Sequence, residues 1–143
     1  MYVDALLLLS DKQVLGTGAT PSTNEIDFSV DRDMGKGEPM AVVISVTVAA
    51  DVADADETYQ FDLRTDDNAA MASAQVLITR IILGADLTEG SVHIIPLPLV
   101  NEQFIDMNYT LAGTTPSVTL SAFLLPQSMV QAYEFYASGF TIQ

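Results

Sequence analysis

Between Gln103 and Gly113 the chain reads QFIDMNYTLAG, and its apolar residues fall at every second position: Ile105, Met107, Tyr109 and Leu111. Asp106, Asn108 and Thr110 stand between them. A period of two is the pattern of a β-strand with one buried and one wetter face, because successive side chains point to opposite sides. The inward set is expected in a core, with Phe104 and Asp106 outward. Gly113 and Thr114-Thr115-Pro116 supply a turn into a second alternating run, Val118–Leu124. The C-terminal half therefore reads as a β-meander centred on this strand.

The rest of the chain repeats the pattern. Met1–Ser10 (MYVDALLLLS) reads as an extended arm or a first strand, since so short an apolar run does not separate helix from strand. Residues 16–24 are turn-rich punctuation. Glu25–Val30 places Ile26, Phe28 and Val30 inward. A polar loop with two glycines leads to Met40–Ala49, a central strand with Val42, Ile44, Val46 and Val48 alternating against Val43, Ser45 and Thr47. An acidic, hairpin-like loop (Asp51–Glu57) precedes the alternation of Tyr59, Phe61 and Leu63. The small, polar stretch 65–75 is a loop with at most one helical turn. Val76–Leu83 is nearly continuously apolar and is expected to be covered on both faces. Val92–Leu97 follows, with Pro96 and Pro98 marking an edge or a bend.

About eight strands with regular turn signals, and no convincing amphipathic helix, predict an antiparallel β-sandwich of jelly-roll type over residues 1–143, a single domain with terminal arms. Periodicity does not separate a jelly roll from an immunoglobulin-like sandwich. The last segment, 127–143, is rich in aromatics: Tyr133, Phe135, Tyr136 and Phe140. It either folds back over its own core or packs on a neighbouring subunit, where Tyr and Phe are enriched.

Five Lys+Arg against nineteen Asp+Glu give a formal net charge of −14. Phosphate contacts need a basic patch, so nucleic acid is not an expected ligand. The charge serves solubility, or complements a basic partner surface. With no cysteine, disulfides, thiolate catalysis and Cys-based zinc sites are excluded, which suits a reducing compartment such as a bacterial cytoplasm. No apolar run approaches the roughly 20 residues of a membrane span. The start lacks the basic and small-residue signals of a secretion leader.

Catalytic chemistry finds few candidates. His93 is the single histidine and sits inside an expected strand, where a structural or surface imidazole is the preferred reading. No serine lies in a G-x-S-x-G setting. Gly16-Thr17-Gly18 lacks the third glycine and the βαβ context of a dinucleotide fingerprint. Asp51, Asp54, Asp56 and Glu57 offer carboxylates that calcium could use, but not at EF-hand spacing; a solvated loop is the expectation, and the same holds for Asp31, Asp33 and Glu38. No catalytic, cofactor-binding or metal-ligating residue is assigned.

Several motifs in succession carry a family likeness. Asp4–Asp11 (DALLLLSD) is followed by Ser22–Asp27 (STNEID). Leu87-Thr-Glu-Gly90 then precedes Val92–Pro98 (VHIIPLP), Phe104–Thr110 (FIDMNYT), Gly113-Thr114 and Val118–Ala122 (VTLSA). Together they resemble the jelly-roll cement, or decoration, proteins of tailed bacteriophage capsids. In related sequences the strand at 104–109 often carries a basic residue in its middle, where this chain has Asp106, so no capsid contact of that residue transfers. The resemblance implies a non-enzymatic virion protein, made in the host bacterial cytoplasm. Such a protein binds the outer surface of an assembled shell as a homo-oligomer, dimer or trimer, with the major capsid protein as partner and no nucleic acid, membrane or cofactor. The terminal arms are then the expected interfaces: Met1, Tyr2, Val3 and Leu6 at one end, Tyr133, Phe135, Tyr136, Phe140 and Ile142 at the other. A different class of function, a carbohydrate- or host-surface-binding sandwich, would need an aromatic platform, for which Phe104 and Phe123 are the candidates. An enzyme is the least supported reading.

Overall fold

A computed structural model describes residues 5–29 and 39–130, of which Ala5 is described in backbone only. Nine strands are found among them: β1 (Leu8–Leu15), β2 (Gly18–Pro21), β3 (Ile26–Asp27), β4 (Met40–Val48), β5 (Thr58–Asp66), β6 (Gln75–Ile82), β7 (Val92–Pro96), β8 (Phe104–Ala112) and β9 (Val118–Pro126). A one-turn helix, α1 (Gln127–Val130), follows β9, and short 3-10 turns occupy Ala5–Leu7 and Gly84–Asp86.

The strands form two antiparallel sheets packed as a sandwich. One has the order β1-β9-β4-β7; the other has β2-β8-β5-β6, with β3 also paired to β8. Pairing is nested: β1 with β9, β2 with β8, β4 with β7, and β5 with β6. The predicted meander is thereby corrected. β8 belongs to one sheet and β9 to the other, so Gly113 and its neighbours cross between layers instead of closing a hairpin. The loop at 49–57 does the same between β4 and β5. Alternation tells which face of a strand is buried and is silent on which strand lies beside it.

The core between the sheets is the set the alternation marks. Ile105, Met107, Tyr109 and Leu111 are all buried, as are Tyr59, Phe61 and Leu63 on β5, and Val42, Ile44 and Val46 on β4. The Phe61 and Tyr109 rings meet edge to face, centroids 5.8 Å apart, the arrangement that ring quadrupoles favour. The Tyr109 hydroxyl is satisfied by Ser10 Oγ at 2.8 Å, and its burial pushes the phenol pKa up.

Four expectations are corrected. β6 is not covered on both faces: it is the edge of its sheet, and Val76, Ile81 and Leu83 stand 53%, 66% and 69% exposed. Val48 is exposed, because a register irregularity between Val46 and Val48 breaks the alternation at the end of β4. The outward residues Phe104 and Asp106 are buried. Finally, β1 runs on to Leu15, past the segment at 1–10, and β2 forms inside the turn-rich stretch. β1 escapes a period-two reading because its pairing with β9 shifts register twice, and Lys12 turns to φ 47° at that irregularity. Val30 and the glycine loop at 31–38 lie outside the described residues.

Candidate functional site

Of the nine arm residues expected at an interface, Met1, Tyr2, Val3, Tyr133, Phe135, Tyr136, Phe140 and Ile142 lie outside the described residues. Leu6 is described, and it is 80% exposed. It sits in the 3-10 turn that leads into β1, at the mouth of a groove of about 500 Å³ lined by Leu6, Leu8, Asn24, Glu25, Asp27 and Ser29. Two leucines and two carboxylates in its lining make this groove amphipathic. Asn24 N–H donates to Leu9 O at 2.9 Å, which ties the two lining segments together, and Phe28 N–H donates to Gln103 O at 2.9 Å, which anchors the second segment to the start of β8. The Asp27 carboxylate is fixed by Ser29 N–H and by Gln103 Nε2, which donate to Oδ1 at 2.6 and 2.9 Å.

A second surface was missed by the sequence reading. Along β6 the exposed Val76 and Ile81 share the outer face of the sheet with Arg64 and Gln60, their register partners on β5. Leu83 continues this apolar row beyond the strand end, and Val52 is exposed beside Gly84. Among the described residues the strand pairs with β5 alone, so its other edge offers backbone groups as well as apolar side chains, the combination that invites a partner. Arg80 guards part of that edge: its Nη1 donates to Ile94 O on β7 at 2.7 Å, tying the two edge strands together. Thr79 and Arg80 interrupt the apolar run, and that break was the available sign of an edge.

Away from Val76 and Ile81, the outer face of the five-stranded sheet carries polar side chains that bond to one another. Arg64 on β5 makes a two-pronged contact with Asp106, its register partner on β8, with Nε–Oδ1 at 2.9 Å and Nη2–Oδ2 at 2.5 Å. Burial pushes the Asp106 carboxyl above its usual range, and the guanidinium partly offsets this. Asp62 accepts from Gln60 Nε2 at 3.1 and 3.0 Å and from Thr79 Oγ1 at 2.7 Å. These carboxylates are committed to neighbours in the sheet.

The acidic loops are likewise built into turns. Asp56 accepts from Thr114 N–H and Oγ1, both at 3.0 Å, which holds its carboxyl below the usual range. Asp51 Oδ1 accepts from Ala53 N–H at 2.9 Å. Asp66 accepts from Asn68 and Ser73 N–H at 3.2 and 2.8 Å, shaping the loop after β5. Among the described residues no group of three or more His, Asp or Glu side chains converges as a metal site. His93 is half-buried, with Nε2 3.1 Å from Asp86 O and 3.3 Å from Ser91 Oγ. Burial lowers its pKa, and its contacts strap β7 to the preceding 3-10 turn. Phe104 and Phe123 are buried, and no aromatic ring among the described residues is exposed. The platform that sugar binding needs is therefore absent from the described surface.

No helix among the described residues is long and apolar enough to cross a membrane. No curated protein matches the chain. The chain does match the model of one protein family, Bbp16, over residues 9–124, a stretch that reaches from β1 into β9 and leaves most of both arms outside. The family name points to a phage-related protein. With most of its length inside that match, the protein belongs to the Bbp16 family.

Proposed function

We propose that this protein is a capsid cement protein of a tailed bacteriophage, a non-enzymatic component that binds the outer surface of an assembled shell and holds neighbouring major capsid protein subunits together. The observation that carries the reading is the open edge of β6. There β6, paired on one side only among the described residues, presents Val76 and Ile81 to solvent, with Leu83 just beyond its end. A cement protein needs a rigid body and a surface of this kind, and it needs no catalytic constellation. Nested strand pairing and membership of a family with a phage-related name support the same reading. A net charge of −14 suits the outside of a shell better than its DNA-facing side. The N-terminal arm, with Leu6 over its groove, is the second proposed contact, and the protein acts as a homo-oligomer.

Heat-driven release of packaged DNA from cognate capsids tests this. Capsids lacking the protein should release DNA at a lower temperature, and adding purified protein should restore the original value. Ile81→Glu combined with Leu83→Glu should bind capsids at least tenfold more weakly while leaving the fold intact, because two side chains already in water become charged. Capsids that neither bind the wild-type protein nor gain heat resistance from it would end the proposal.

A further inference from the structure

The groove beside β1 combines two kinds of surface that one kind of side chain can satisfy. Its described lining sets the aliphatic side chains of Leu6 and Leu8 near the carboxylates of Glu25 and Asp27. Leu6 is 80% exposed, and both acids are also open to solvent. Ile26 between the acids is buried. Glu25 and Asp27 therefore leave the chain on the same side, about 6–7 Å apart by strand spacing.

Among the described residues neither carboxylate forms an ion pair: Arg64 is taken by Asp106, and Arg80 by Ile94 O. Asp27 Oδ1 accepts from Ser29 N–H and Gln103 Nε2, neutral donors that orient the carboxylate without cancelling its charge. At Asp106, burial is the main cause that holds the carboxyl above its usual range, the Arg64 guanidinium opposes it, and the charge of Glu25 adds to it. This corner of the sheet is thus negative. The lining is also held in place. Asn24 reaches back to β1 through N–H to Leu9 O at 2.9 Å and through Nδ2 to Leu8 O at 3.3 Å. Ser22 Oγ donates to Asn24 O at 2.7 Å. A site fixed before its partner arrives loses little conformational freedom on binding.

We propose that this groove receives a lysine or arginine side chain from a segment of the major capsid protein, with an aliphatic neighbour in the same segment; the partner rests on the capsid reading above. Long basic side chains bury an apolar stem and keep a charged head free. Here the stem lies on Leu6 and Leu8, and the head reaches between Glu25 and Asp27 in charge-assisted hydrogen bonds. The volume of about 500 Å³ falls within the roughly 300–1,000 Å³ that encloses a small ligand. It admits a few side chains and not a folded face. Complementarity runs the same way: nineteen acids against five bases draw a basic segment toward this chain. The two contacts then differ in chemistry, with β6 apolar and the groove sensitive to salt.

Two measurements on the full-length protein test this. In the first, a capped tetrapeptide alternating leucine and lysine is titrated while backbone amides are followed by NMR, with a leucine–glutamine peptide as control. The lysine peptide should shift the amides of Leu6, Leu8 and residues 24–29, and Glu25→Gln combined with Asp27→Asn should abolish the response. Asparagine keeps an oxygen for Ser29 N–H, so the lining survives that change. Equal shifts from the glutamine peptide, or shifts spread over the whole acidic surface, would overturn the proposal. So would calcium chloride moving the same amides at lower concentration than the peptide. In the second, the double variant should bind cognate capsids about tenfold more weakly, with a shallower salt dependence. Leu6→Ser should weaken binding and leave the salt dependence as it is. Capsid affinity unchanged in the double variant would overturn the assigned partner. Wild-type protein that takes the lysine peptide in the groove yet ignores capsids would end the capsid reading and this partner with it, and leave the groove's preference for a basic side chain established.

Discussion

At the scale of single residues, the Arg64–Asp106 pair shows how a charge survives on a nearly dry sheet face. Asp106 is 5% exposed at its side chain and Arg64 is 20%, so the two partners have unequal access to water. Arg64→Met should therefore strand a buried carboxylate and cost about 3–5 kcal/mol. Asp106→Asn leaves a guanidinium that can still reach solvent and should cost roughly half as much. The pH dependence has a definite sign. A carboxyl whose folded-state pKa is raised binds its proton more readily in the folded state, so its contribution is most favourable at low pH and is lost as pH rises through that pKa. Removing Arg64 takes away what restrains the rise, so the deficit of Arg64→Met should shrink on going from neutral to mildly acidic buffer. Urea midpoints of both variants and the wild type, measured at the two pH values, check the order and the trend. Equal destabilisation by the two substitutions would show that the asymmetry in exposure has no energetic role.

At the scale of elements, the crossing from β8 to β9 is the connection that most shapes the sandwich. Gly113 sits at φ 110°, and a Cβ there would come within 2.6 Å of Asp56 O and 2.7 Å of Glu57 Cα. Both neighbours are backbone atoms of the other crossing loop, which cannot yield by a rotamer change. Gly113→Ala should destabilise by about 2–4 kcal/mol from left-handed strain and close contact together, read as a drop in thermal midpoint. Gly90→Ala, at φ 81° with open space around it, should cost only the strain. What the residues disclosed about these elements follows their physics. β8 and β5 were legible because each has one face in the core, so apolar residues recur at every second position from Ile105 to Leu111 and from Tyr59 to Leu63. β6 was not, because an apolar run looks the same whether a second layer covers it or water does. The two crossings were also hidden, since partner choice is set by contacts far apart in the chain, as in the pairing of β1 with β9. The candidate site suffered most. Leu6 could be named from the arm, whereas Val76, Ile81 and Leu83 become a surface only once β6 is known to be an edge.

At the scale of the whole molecule, the proposed capsid association assigns different contributions to a large negative charge and a small apolar edge. The charge of −14 acts at a distance and accelerates encounter with a basic surface. Ordinary salt confines that reach to a Debye length of about 8 Å. In the proposed capsid association, Val76, Ile81 and Leu83 would act only on contact and set how long the partners stay together, because affinity differences among related complexes lie mostly in dissociation. Capsid association measured over a series of salt concentrations should therefore show an on-rate that falls as salt rises, with little change in the off-rate. The Ile81→Glu/Leu83→Glu variant should do the opposite at fixed salt, raising the off-rate at least tenfold with a smaller change in the on-rate. An on-rate indifferent to salt would mean that the acidic surface faces away from the shell, leaving solubility as the role of the charge. An off-rate indifferent to the edge substitutions would move the binding surface from β6 to the N-terminal groove around Leu6.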